Sequence, residues 1–278
     1  MDDKPTTIDG YGSESVSKVT STCLYVATKL TGLLKDIVIV GGLAPALLVD
    51  QQTLPWGMSP HAGTMDLDMG LSLALFNEQR YRELSERLRR AGLKPSVNRT
   101  GNQTRQTWTT SFESGPVTLD FLIAPSSSDE QGGGLRNLEP DFAAFIVHGL
   151  QFAFQDRRQV TLTGRTPVGE QASRDVWVCG PGAFTVLKAL AFGDRGEGKD
   201  AYDLFYVWQG LGIEEVAQHI ETLGDSPLIA QALGVLKRDF TLHDGIGPSR
   251  AAEFMGDRSD DAIKADVVSL AEDLLARL

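Results

Sequence analysis

The stretch His61-Ala62-Gly63-Thr64-Met65-Asp66-Leu67-Asp68-Met69-Gly70-Leu71 decides how this chain is read. Apolar and other residues alternate along it, which is the period of a β-strand. On that reading Asp66 and Asp68 project from one face. Met65, Leu67, Met69 and Leu71 point to the other and are expected to enter a core. Two carboxylates held side by side are costly without a compensating cation. Paired oxygen ligands suit Mg²⁺, which takes one or two protein carboxylates and shares the rest of its shell with water and phosphates. A solvated strand face is the competing reading of the same alternation.

A second strand pattern follows downstream, Val117-Thr118-Leu119-Asp120-Phe121-Leu122-Ile123. Leu119, Phe121 and Ile123 share one face; Thr118, Asp120 and Leu122 share the other. An Asp on an internal strand needs a partner. Three carboxylates on adjacent strands can hold two metals for phosphoryl or nucleotidyl transfer. If Asp120 sits on a sheet edge, it is merely solvated.

Upstream, Asp36-Ile37-Val38-Ile39-Val40 is a β-branched run with strand character. Gly41-Gly42 follows, then Leu43-Ala44-Pro45-Ala46-Leu47-Leu48-Val49, which reads as a helix with Pro45 in its first turn. Strand, glycines and helix start form a turn where backbone amides can approach a phosphate. No Gly-Lys-Ser/Thr follows, so this is not a P-loop, and the Gly-x-Gly-x-x-Gly dinucleotide pattern is missing too. The uncharged stretch Gln51-Gln52-Thr53-Leu54-Pro55-Trp56-Gly57-Met58-Ser59-Pro60 reads as an inserted loop before the aspartate strand.

A third block spans residues 184–204. Phe184, Leu187, Leu190 and Ala191 fall at helical spacing and are expected to face a core. Lys188 lies beside that stripe, where it either snorkels to water or reaches a triphosphate as a point charge. Gly193, Gly196 and Gly198 are expected to break the helix, and a new one to begin near Lys199. Asp200 and Asp203 then occupy its first turn, where carboxylates suit the helix dipole. Asp203 is expected to organise the turn by pairing with Arg195 or Lys199.

In this order, Gly41-Gly42, Asp66 with Asp68, Asp120, and the block holding Lys188, Arg195, Lys199-Asp200 and Asp203-Leu204 resemble the nucleotidyltransferase superfamily of polymerase-β-type fold. Within it they look like the AbiE-type (AbiEii-like) toxin branch. The resemblance covers residues 36–210, roughly. It implies a Mg²⁺-dependent enzyme, Mn²⁺ being the other candidate ion, that moves a nucleoside monophosphate from an NTP to an acceptor hydroxyl and releases pyrophosphate. Asp66 and Asp68 would bind the metals, and Asp120 would bind the second metal or help deprotonate the acceptor. Gly41, Gly42 and Thr64 would cradle phosphate, Lys188 would neutralise the triphosphate, and Asp200 would orient nucleotide or acceptor. The branch implies tRNA or another RNA as acceptor and a cognate antitoxin as partner. Two other functions fit the residues: transfer to a small aminoglycoside-like molecule, and non-catalytic binding of a nucleotide or partner.

Composition sets bounds on these readings. The chain has 278 residues, 41% of them hydrophobic, and a formal net charge of −11. That charge opposes broad nucleic-acid affinity and suits a cationic acceptor. Arg80, Arg82, Arg87, Arg89 and Arg90 cluster on a helix expected at residues 78–90, interleaved with Glu78, Glu83 and Glu86. They form either a solvated face of i,i+4 pairs or an RNA-docking surface. Asn77 is the expected cap of that helix and Gly92 its stop. No apolar run approaches the ~18 residues of a membrane span. No basic n-region with an apolar core opens the chain, so a cytoplasmic protein with no membrane partner is expected. Cys23 and Cys179 show no metal spacing and are not expected to pair, and four scattered histidines show no ligand pattern.

The expected fold is α/β (α+β). An N-terminal helical segment occupies residues 1–35, its helix running to about residue 34. A nucleotidyltransferase-type mixed sheet with flanking helices occupies 36–180, with strands near 105–112, 159–163 and 175–179. A helical domain occupies 181–278, with helices at 214–223, 228–238 and 261–278, and the nucleotide would lie between the two halves. Residues 124–137, rich in serine and glycine, are either a lid or a linker.

Overall fold

The computed structural model describes residues 4–12, 14–72, 78–98, 100–113 and 115–278. The expected cap Asn77 lies outside them. In chain order the elements are α1 (Ser15–Lys29), β1 (Ile37–Val40), α2 (Ala44–Leu48), β2 (Asp66–Leu71), α3 (Glu78–Arg90), β3 (Lys94–Val97), β4 (Gln103–Thr109), β5 (Thr118–Ile123), β6 (Leu135–Glu139), β7 (Phe142–Ile146), α4 (Phe152–Gln155), β8 (Arg157–Arg165), β9 (Gln171–Cys179), α5 (Pro181–Arg195), α6 (Gly198–Leu211), α7 (Ile213–Glu221), α8 (Pro227–Phe240), α9 (Ile246–Met255) and α10 (Asp261–Arg277). The class is mixed α/β. Two compact units divide the described chain.

The first unit holds Glu14–Leu43 and Thr64–Cys179. Its nine strands form one sheet, ordered β3-β4-β5-β2-β1-β9-β8, with β7 also beside β5 and β6 beside β7. β2 runs antiparallel to β1 and parallel to β5. β5 pairs with β4 through Thr118, Leu119 and Asp120, and with β7 through Leu122 and Ile123. This branching leaves β5 internal along its length. The alternation in β5 is visible in its burial: Leu119, Phe121 and Ile123 are buried, and Thr118, Asp120 and Leu122 are half-buried. Trp108, Phe121 and Phe142 pack edge to face beneath it, with centroids 5.0 Å apart for Phe121–Phe142 and 5.6 Å for Trp108–Phe142. Such pairs add about 0.5–1.5 kcal/mol beyond their burial.

The second unit holds Lys4–Ser13, Ala44–Gly63 and Gly180–Leu278. It is helical because its apolar residues recur at helical spacing and its helix ends carry stop and start residues. Pro181 opens α5 and Gly196, at φ 61°, closes it. The Asp260 carboxylate accepts from the Ala262 and Ile263 amides to open α10, 3.0 Å each. The segment 44–63 contributes Val49 to a cluster with Tyr11, Tyr202, Tyr206 and Phe254, and Leu54 and Met58 pack against that cluster. Among the described residues no helix is long and apolar enough to cross a membrane.

Several local expectations need correcting. α1 ends at Lys29, and a 3-10 turn at Leu34–Asp36 leads into β1. Met65 precedes the strand and is 45% exposed, so only Leu67, Met69 and Leu71 enter the core. Residues 124–137 end inside a strand, since β6 begins at Leu135. Gly193 lies within α5, where a Cβ would come 2.7 Å from Val235 Cγ2; it permits close helix packing and does not break the helix. β3, β6, β7, α4 and α9 have no counterpart among the expected elements. β6 is polar, and α9 carries Gly247 and Pro248, residues that read as breakers.

Candidate functional site

β2 and β5 bring the three strand carboxylates of the first unit together. Their parallel register pairs Asp66 with Thr118 and Asp68 with Asp120. Neighbouring strands lie about 4.8 Å apart and paired residues share a face. Asp66, Asp68 and Asp120 therefore project from the face opposite Leu67, Leu119 and Phe121, and each is half-buried.

Two hydroxyls bind these carboxylates. Thr107, on β4, is the register partner of Asp120 and donates to its Oδ1 at 2.5 Å. Thr118 donates to Asp66 Oδ1. Sequence reasoning missed Thr107 and assigned Thr118 only a face. The usable signal was alternation, which puts Thr107 on the side opposite buried Trp108.

The glycine turn closes on the same place. β1 pairs Val40 with Asp68, and Gly41 follows at φ 67°. A Cβ on Gly41 would lie 1.8 Å from Asp68 Oδ2, and one on Gly42 would lie 2.6 Å from Thr64 Oγ1. Each glycine is thus required by a different residue of the sequence-derived site. Thr64 Oγ1 also donates to the Asp66 carbonyl at 3.2 Å, which ties the approach to β2.

The donor set is all oxygen, as a hard cation such as Mg²⁺ prefers. Among the described residues no group of three or more His, Cys, Asp or Glu side chains is placed so that it could hold a metal ion. An ion bound by one or two of these carboxylates and completed by water and phosphate needs no such group. The carboxylates suit in chemistry the ion the resemblance implies, although the described side chains are not gathered in threes around one.

Lys188 and Asp200 belong to the second unit, where they form a buried ion network. Lys188 Nζ lies 2.8 Å from Asp200 Oδ1 and 2.8 Å from Asp203 Oδ2. Arg195 Nε lies 2.6 Å from Asp200 Oδ2, and Lys199 pairs with Asp203. Both aspartates are fully buried. Lys188 does not snorkel, and Asp200 does more than face a helix dipole. Burial alone would lower the Lys188 pKa; Asp200 and Asp203 outweigh it and hold it above the ordinary lysine range. Burial would likewise raise both carboxyls. Lys188 with Arg195 holds Asp200 below its usual range, and Lys188 with Lys199 does the same for Asp203.

His61, which sequence reasoning left without a role, joins this network. Its Nδ1 accepts from the Gly63 amide at 3.1 Å, so Nε2 carries the proton donated to Asp203 Oδ1 at 2.9 Å. The His61 amide donates to Gln51 Oε1 at 3.1 Å and the Ala62 amide to the Tyr202 hydroxyl at 2.9 Å. Burial, then the Lys199 charge, push the His61 pKa down to about 4. No local period marks a partner 142 residues away.

The arginines of α3 are mostly spent on neighbours. Arg87 and Arg90 pair with Glu83 and Glu86 at i,i+4, Arg80 with Asp36, and Arg89 with Asp141.

Compared with known proteins, the chain matches no family model and no curated protein sequence.

Proposed function

We propose that the first unit is the catalytic part of a divalent-metal-dependent nucleotidyltransferase. The observation that carries this reading is the register of Asp68 with Asp120, with Asp66 on the same face and Gly41 packed against Asp68. Asp66, Asp68 and Asp120 would hold Mg²⁺ or Mn²⁺. The ion, when bound, supplies positive charge against the phosphate oxygens. The chain's own residues do the rest. The Gly41-Gly42 turn lets backbone amides approach phosphate without side-chain obstruction. Asp120 accepts the proton of the acceptor hydroxyl as that oxygen bonds to the α-phosphorus and the bond to pyrophosphate breaks. The products are the nucleotidylated acceptor, pyrophosphate and one proton.

Two acceptors divide this reading. The resemblance favours tRNA or another RNA, with a cognate antitoxin as regulator. The net charge of −11 favours a small cationic acceptor, which needs no basic docking face. Lys188 and Asp200 enter through the resemblance alone; since each neutralises the other, we assign them first to the fold.

The test is label transfer. The purified chain is incubated with each α-labelled NTP, Mg²⁺, and either total RNA or a panel of aminated small molecules. Label on one acceptor class, absent with Asp68→Asn, is expected. Metal-dependent NTP binding without transfer would favour a binding protein. Absence of both would reject the reading.

A further inference from the structure

We propose that Thr107 and Thr118 are positioning residues that set the angle at which Asp120 and Asp66 meet the metal. This deepens the proposed function and rests on it.

The two hydroxyls occupy matching places. Thr107 is the cross-strand register partner of Asp120, and Thr118 is that of Asp66. Each donates its only hydroxyl proton to Oδ1 of its partner. In each carboxylate one oxygen is therefore taken from the side by a neighbouring strand. The carboxylate rotates about its last torsion, which is broad and soft for aspartate. A donor on Oδ1 narrows that torsion.

The donors themselves are stiff. Threonine is β-branched, so its own first torsion is restricted, and it suits a strand. Thr107 is buried at 3% exposure between Gln106 and Trp108, and Trp108 is locked in the aromatic stack beneath the sheet. The third carboxylate is held differently. Asp68 packs on Gly41, where no Cβ can fit. Two carboxylates are thus aimed by hydroxyls and one by a glycine, all from backbone positions fixed by the sheet ladder. Partners that orient ligands typically change metal affinity by 10–100-fold when removed.

The experiment is a titration of Mn²⁺ into the full chain, free Mn²⁺ being read by electron paramagnetic resonance, with no nucleotide present. The variants are Thr107→Val, Thr118→Val, Thr107→Ser, Thr118→Ser and Asp68→Asn. Valine keeps the branched shape and removes the hydroxyl, while serine keeps the hydroxyl. The expected result is that each valine variant weakens Mn²⁺ about 10–100-fold and each serine variant restores it. Thermal unfolding of the same samples reports folding, and a serine variant that binds like wild type excludes misfolding as the cause. If Asp68→Asn weakens Mn²⁺ but both valine variants bind like wild type, the positioning role is overturned and the metal site stands. If Asp68→Asn leaves Mn²⁺ binding unchanged, the metal-site reading fails and this inference with it.

Discussion

Asp68 and Asp120 are register partners on two parallel strands. The relation is unforgiving. A slip of one residue between β2 and β5 would turn over every side chain of the slipped strand, burying Asp120, or Asp66 and Asp68, and bringing three apolar side chains out. Leu67 and Leu119, paired in the same ladder and both buried, hold the register against that slip. Core packing on one face of the sheet thereby sets the geometry of the acidic face on the other.

NTP binding should depend on metal. Paired carboxylates repel a bare triphosphate. With Mg²⁺ present, wild type should bind an NTP at least about tenfold more tightly than with EDTA, and Asp68→Asn should lose that difference. Equal affinity with and without EDTA, measured by calorimetry, would count against Asp66 and Asp68 as ligands.

Gly41→Ala should be costly twice over. The left-handed backbone costs about 1–2 kcal/mol for a residue with a Cβ. The new methyl also collides with Asp68 Oδ2. Gly196 is the control: it is left-handed too, at φ 61° and ψ 30°, and the nearest atom to a Cβ there, Ile246 Cδ1, is an ordinary contact away at 3.8 Å. Urea unfolding should show Gly41→Ala more destabilised than Gly196→Ala, and only the former should lose Mn²⁺ affinity. Equal losses would mean that Asp68 gives way freely.

Lys188→Ala should destabilise the protein by about 3–5 kcal/mol, as expected when one partner leaves a buried ion pair. Asp200→Asn should act in the same direction, since Lys188 is left with Asp203 alone and Arg195 loses its nearest carboxylate. A helix-dipole role for Asp200 predicts only about 0.3–1 kcal/mol. Urea midpoints separate the two. The double variant should cost less than the sum of the singles, because the residues share one network.

Stability should fall with acid through His61. Its pKa is about 4 in the folded protein against 6.5 ordinarily. Below pH 6.5 the unfolded chain takes up a proton that the folded chain refuses until about pH 4. The contribution is thus full above pH 6.5 and is lost as pH falls to about 4, amounting to about 3 kcal/mol. Asp203, held well below its usual range, loses its contribution only at lower pH. In urea unfolding at several pH values, wild type should converge on His61→Gln as the pH falls through this window. A constant gap between them would clear His61 of the effect.

The sheet face was legible because it depends on period two. Alternation alone places Asp66 and Asp68 on one face of β2 and turns Asp120 away from Leu119 and Phe121, and a β-branched run ending in Gly41-Gly42 marks the glycine turn. What sequence reasoning missed depends on distance along the chain. Thr107 reaches Asp120 across 13 residues and His61 reaches Asp203 across 142, and neither spacing is periodic. Lys188 illustrates a different limit. Its place beside an apolar stripe was clear, but a buried lysine and a snorkelling one have the same local sequence. Only the arrival of Asp200 and Asp203 from the next helix decides between them.

The bond between His61 and Asp203 also orders events during synthesis. At about 5–20 residues per second, the 142 residues separating them take roughly 7–28 s to make. Gln51, His61 and Ala62 emerge first, and Tyr202, Asp203 and Tyr206, which receive or give their hydrogen bonds, come later. The aromatic cluster around Val49 waits longer still, until Phe254 has been added. A ribosome stalled short of α6 would present segment 44–63 without the side chains that hold it, so a nascent chain of that length should be cut there by protease and a finished one should not.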